Sequence, residues 1–154
     1  METAFNGVTF RIGGDTFAVD ALRVREVVGR AEWQPLAAEG EKGGFIQVRG
    51  RTVPVLDLRE KFGFPGASKE GMSSFIVVQA EGNDRNRQVA LWVDTLLAML
   101  SVPREQLGAL KNALGAVPDR FLKAVVESGE GPIYLLELDE VLGEKELVLE
   151  NRAS

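Results

Sequence analysis

Short apolar runs alternate along this chain with polar positions at the period of β-strands, and glycine-rich turns close most of them. Residues 5–12 and 16–19 alternate on either side of Gly13-Gly14-Asp15, which predicts an antiparallel hairpin. Residues 20–24 read as a short turn leading into a strand through Val27-Val28 that closes at Gly29. Residues 45–48 and 53–58 flank Arg49-Gly50-Arg51-Thr52 as a second hairpin. Pro54 has no N–H to give, which places that strand at an edge or a bulge. Residues 75–79 and 88–94 flank a polar tip, and 121–126 and 133–138 flank Ser128-Gly129-Glu130-Gly131. Helical signals are few. Asp57, Glu60 and Gly63 predict a short capped helix with Leu58 and Phe62 on its inward face. Pro103 opens another near 103–107, and a C-terminal helix is expected at about 139–150 with Asp139 as its cap. Residues 37–44 are polar and glycine-rich and read as a mobile surface loop.

The pattern also repeats. Phe17-Ala18-Val19-Asp20 returns as Leu91-Trp92-Val93-Asp94, and Val53-Pro54-Val55-Leu56-Asp57-Leu58 returns as Ile133-Tyr134-Leu135-Leu136-Glu137-Leu138. The order A-B-A′-B′ implies two related β-rich halves joined through residues 65–71. A join that short predicts halves packed on a common apolar interface, drawing on Val55, Leu56, Val93 and Leu135. Repeated edges point to docking more than to catalysis.

Composition narrows the chemistry. With 154 residues, 45% hydrophobic and 27% charged, the chain fits one globular domain. Its longest apolar runs are too short to span a bilayer and its first residues lack a signal-peptide pattern, so no membrane insertion and a cytoplasmic setting are expected. There is no cysteine and no histidine, which removes disulfides, thiolate chemistry, His-based triads and the commonest metal ligand. No metal and no cofactor is expected. A net charge of −5 and a pI near 4.9 disfavour nucleic acid. Asp57, Asp94 and Asp139 read as caps or turn formers, because no histidine or metal partner stands near them in sequence to make a catalytic pair. Trp92 reads as core. Gly13-Gly14 is a turn, since no Lys-Ser/Thr follows to make it a phosphate loop.

Several of these residues together resemble a known family. Gly50-x-x-Val53-Pro54-Val55-Leu56-Asp57-Leu58 with Phe62-Gly63, Val19-Asp20-x-x-x-Val24-x-Glu26-Val27, Val93-Asp94 leading to Leu100-Ser101-Val102-Pro103, and Phe121-Leu122-Lys123-Ala124 leading to Leu135-Leu136-x-Leu138-Asp139 are similar to the CheW-like domain of bacterial chemosensory pathways. The resemblance covers about residues 3–142. It implies an all-β fold of two intertwined five-stranded barrels sharing a core, with subdomains near 14–66 plus a closing strand and 72–138. It implies a non-catalytic adaptor rather than an enzyme, joining the tip of a methyl-accepting chemoreceptor to the regulatory domain of a CheA-type histidine kinase. Residue by residue, it assigns receptor docking to Glu26, Gly44 and Arg49. Two departures stand out: Gln47 precedes Arg49 where the family commonly has asparagine, and the approach to Gly44 is more polar than usual. Arg49 also has a plain reading, as a solvated hairpin residue or an internal partner of Glu26. The competing functions are a small β-barrel that binds a ligand or nucleic acid, and a carboxylate-only enzyme.

Overall fold

The computed structural model describes residues 4–32, 34–35, 44–64, 72–80, 87–108 and 117–143. Of the loop expected at 37–44, all but Gly44, which begins a strand instead, lies outside the described residues, as do the join at 65–71 and the tail of the C-terminal helix beyond 143. Strands β1 (Ala4–Ile12) and β2 (Asp15–Asp20) form the first hairpin. A single 3₁₀ turn, Ala21–Arg23, follows; the Asp20 carboxylate caps it by accepting from Leu22 N at 2.9 Å. Then come β3 (Val24–Glu32), β4 (Gln34–Pro35), β5 (Gly44–Val48), β6 (Arg51–Asp57) and helix α1 (Leu58–Phe62). The second half supplies β7 (Met72–Gln79), β8 (Gln88–Val93), β9 (Thr95–Pro103), β10 (Leu122–Ser128) and β11 (Gly131–Leu136), and a helix α2 over residues 138–143.

Two sheets result, ordered β10-β11-β2-β1-β9 and β3-β7-β8-β6-β5-β4. The repeat explains both. Matching β1, β2, β3, β5 and β6 of the first half to β7, β8, β9, β10 and β11 of the second turns the first order into the second, with β4 as a two-residue addition. Each sheet therefore takes strands from both halves, which is the expected intertwining. Each also contains one parallel pair between halves, β2 with β11 and β8 with β6. The first sheet closes on itself where Gly108, just past β9, exchanges both backbone hydrogen bonds with Val125 of β10, at 2.8 and 3.0 Å. In the second sheet, the corresponding strands β3 and β5 approach one another but are not paired.

Period-two alternation divides the apolar residues into three cores. Phe5, Ala18, Ala124, Val126 and Leu135 fill the inside of the first sheet. Ile46, Val53, Val55, Phe75, Val77 and Trp92 fill the second. The largest cluster lies between the sheets, with both halves contributing. At its centre Phe17 packs against Phe10, Phe62 and Tyr134 with ring centroids 6.0, 5.4 and 5.9 Å away. Of the four residues expected at the shared interface, Leu56 and Val93 are there, whereas Val55 and Leu135 point into the separate barrel interiors. Those two hold equivalent places in the repeat, so the same alternation sends both inward.

Other expectations are corrected. β3 does not stop at Gly29: it runs to Glu32 through an irregularity between Val28 and Ala31. β6 is an interior strand, although Pro54 pairs only with Phe45, because the parallel ladder to β8 starts one residue later at Val55. α2 starts at residue 138, so Asp139 is no cap; its carboxylate instead pairs with Arg23 at 2.8 Å. Strand β9 was not expected at all.

Candidate functional site

The three expected docking residues all belong to the second sheet, but only two of them meet. Glu26 is on β3. Arg49 and Gly50 make the two-residue turn between β5 and β6, both with positive φ, 53° and 82°. Such a turn matches the right-handed twist of a hairpin, and glycine adopts it freely while arginine does so under strain. Its place in the turn leaves the Arg49 side chain out at the tip, where it is 80% exposed. Its Nη2 lies 3.4 Å from Oε2 of the half-buried Glu26, so the ion pair crosses the seam between β3 and the β5–β6 turn. Gly44 begins β5, opposite Val55 and Pro35. It is buried and does not line the groove described next.

Under that ion pair runs a groove of about 340 Å³, with Glu26, Val28 and Arg30 on one side and Gln47, Val48 and Arg49 on the other. Val28 packs against the interior cluster to which Val48 belongs, which gives the groove an apolar floor beneath two guanidinium groups and one carboxylate. An arginine stem can cover apolar surface while its head binds a carboxylate bidentately, so the groove suits an amphipathic surface that carries acidic residues. Among the described residues no group of three or more histidine, cysteine, aspartate or glutamate side chains is placed to hold a metal.

Sequence reasoning did not single out Arg30, nor did it foresee a second surface. Val27, Leu97 and Met99 are exposed, Met99 by 67%. Val27 pairs with Ile76 and Met99 with Val8, and both partners belong to the core between the sheets. Direct partners in an antiparallel ladder share a face, so Val27 and Met99 continue that core out to its rim. The one local hint is the unbroken apolar run Leu96-Leu97-Ala98-Met99-Leu100.

The chain can now be set beside known proteins. Residues 6–146 match the CheW-like domain family. A probable chemotaxis protein CheW of Rhizobium etli is 28% identical over 90% of this chain and 88% of its own length. The chemotaxis protein CheW of Klebsiella aerogenes is 27% identical over 91% of this chain and 82% of its own. In three dimensions the fold is similar to the crystal structure of the scaffolding protein TtCheW from Thermoanaerobacter tengcongensis, with a TM-score of 0.73, 22% identity, and 90% and 92% of the two chains covered. No helix among the described residues is long and apolar enough to cross a membrane. A family match over nearly the whole length, with the fold to go with it, means that this chain belongs to the CheW-like family.

Proposed function

We propose that this protein is a non-catalytic adaptor of a chemosensory array, coupling the tip of a methyl-accepting chemoreceptor to the regulatory domain of a CheA-type histidine kinase. The observation that carries this reading is the family match over residues 6–146. It is supported by relatives named as chemotaxis proteins and by a neighbour in fold described as a scaffold. Receptor docking is assigned to the groove bounded by Glu26 and Arg49, with Gly44 fixing the start of β5 behind it. The ligand- or nucleic-acid-binding alternative has nothing in its favour: the chain carries a net charge of −5.

Arg49 decides the docking assignment. A pair with one partner 80% exposed is worth about 0–1 kcal/mol, so a merely structural Arg49 predicts small effects everywhere. Arg49→Glu instead sets like charge against an acidic receptor surface and against Glu26. The expected outcome is a sharp loss of receptor-dependent kinase activation with less than about 4 °C change in Tm, the shift that 1 kcal/mol produces in a domain of this size. Arg49→Lys should be intermediate, since the charge survives and the fork does not. Full coupling by the Arg49→Glu variant would remove Arg49 from the docking surface.

A further inference from the structure

The backbone by itself does not dictate that the first half of this chain must pair with the second. Among the described strands, β1·β9, β2·β11, β3·β7 and β6·β8 are the ladders that join the halves. Within a half the described residues pair as hairpins, as the short β4·β5 pair and as the single bridge between Gly108 and Val125. Because the halves repeat, the same four ladders could in principle form between two first halves or two second halves. Side chains must make the choice.

Two ion pairs sit where the choice is made. At the corner after β8, Asp94 binds the guanidinium of Arg59 on α1 and accepts from Gly13 N, in the β1–β2 turn, at 2.9 Å. The parallel ladders set Ala18 beside Leu135 and Ala90 beside Val55, so in space the repeat is shifted by two residues and Asp94 matches Leu22 rather than Asp20. At that corner after β2, the adjacent Arg23 binds Asp139 on α2 at 2.8 Å and donates through Nε to the Gln79 carbonyl, at the end of β7, at 3.1 Å. Arg59 and Asp139 are each the second residue of their helix and match one another in the repeat. The two junctions are built alike, with each corner residue gripping a helix and a hairpin of the opposite half, but their polarity is reversed.

In both junctions the cation comes from the first half and the anion from the second. Pairing two first halves would put Arg59 where Asp139 now stands, facing Arg23. Pairing two second halves would put Asp139 where Arg59 stands, facing Asp94. Like charges held in contact are unfavourable, more so at the Arg59 junction, where both side chains are mostly covered, than at the other, where Asp139 is 54% exposed. We infer that these junctions are a charge code by which each half accepts only its complement, whether from its own chain or from a second copy. The surface between the halves is then an interface that a second copy fits by exchanging halves. A join of only residues 65–71 keeps the chain's own half at high effective concentration, which favours pairing within the chain over exchange with a second copy.

The test uses full-length chains. Arg59→Asp and Asp94→Arg each place like charges at one junction, and each should lower Tm by about 5–10 °C. Both substitutions in one chain should recover most of that loss. The two single variants, unfolded together and refolded as an equal mixture, should yield a heterodimer in which each altered junction faces its complement, seen by light scattering after size exclusion; either variant refolded alone should not. If a single variant fails to fold, soluble yield of the mixture against each variant alone gives the same reading. The same set at Arg23 and Asp139 makes the result independent of the bond from Gly13 to Asp94. A double variant no more stable than the singles overturns the charge code. A double variant that recovers while the mixture stays monomeric overturns exchange with a second copy.

Discussion

Thr9 is buried at a place where the ladder between β1 and β9 slips, between Val8 and Phe10. Its hydroxyl donates to the Ala98 carbonyl at 2.7 Å and accepts from Ala98 N at 3.0 Å, standing in for a backbone partner. Thr9→Val keeps the shape and leaves both Ala98 groups unpaired, so it should cost about 1–3 kcal/mol while Thr9→Ser costs less. Urea denaturation of the two variants checks this; equal stability would mean that water replaces the hydroxyl. Tyr134 makes a pH-dependent prediction. It is the chain's single tyrosine and is buried in the core between the sheets. Burial first, and then the carboxylates of Asp15 and Glu127, raise its pKa above the ordinary 10.0. A neutral phenol favoured by folding contributes stability that is complete below about pH 10 and is lost as pH rises through the folded value. Near-ultraviolet absorbance should show the folded tyrosine ionising later than the unfolded one, and Tyr134→Phe should flatten the alkaline fall in stability. Coincident ionisation of the two states would contradict the burial.

The elements most readable in the sequence are those whose instructions are local. α1 is the best case: the Asp57 carboxylate accepts from Arg59 N and Glu60 N, Gly63 closes the helix at φ 86°, and Leu58 and Phe62 are buried. Asp57→Ala should cost about 1 kcal/mol through the lost cap, and Gly63→Ala a similar amount through a left-handed backbone that alanine resists. Thermal melts of both should show these losses with the Arg49 turn unaffected, and a silent Asp57→Ala would mean that packing alone positions the helix. Hairpins were readable for the same reason, through Gly13-Gly14, Arg49-Gly50 and Gly129-Glu130. β9 was not, because the irregularity at Thr9 and the exposed rim of Leu97 and Met99 remove the alternation that marks a strand. Asp139 was misread because its partner Arg23 is 116 positions away, where no local signal reaches. Of the candidate site, Arg49 at a hairpin tip could be read from its turn. Its meeting with Glu26 came from the family resemblance and from the plain possibility of an internal pair, since only the curling of the sheet brings β3 near β5.

At the scale of the molecule, the repeat was the most informative thing in the sequence, and the sheets show why it alone could not draw the boundaries. Strand equivalence carries through the whole fold, but the equivalent strands trade places between sheets, so a cut in sequence is not a cut in space. Phe17 makes this concrete: it is from the first half, on a strand paired to β11 of the second, with its ring against Phe62 of one half and Tyr134 of the other. Cleaving the join at 65–71 should therefore leave two pieces that stay associated, since four ladders and the central core hold them without it. Each piece purified away from the other keeps little beyond hairpins with one apolar face uncovered, and two-stranded hairpins are marginal in water. Circular dichroism of each isolated piece should show no cooperative melt, and adding the other should restore one. Sharp, independent melting of either piece would mean that the barrels are separate folding units, and the shared core would lose its place as the origin of this protein's stability.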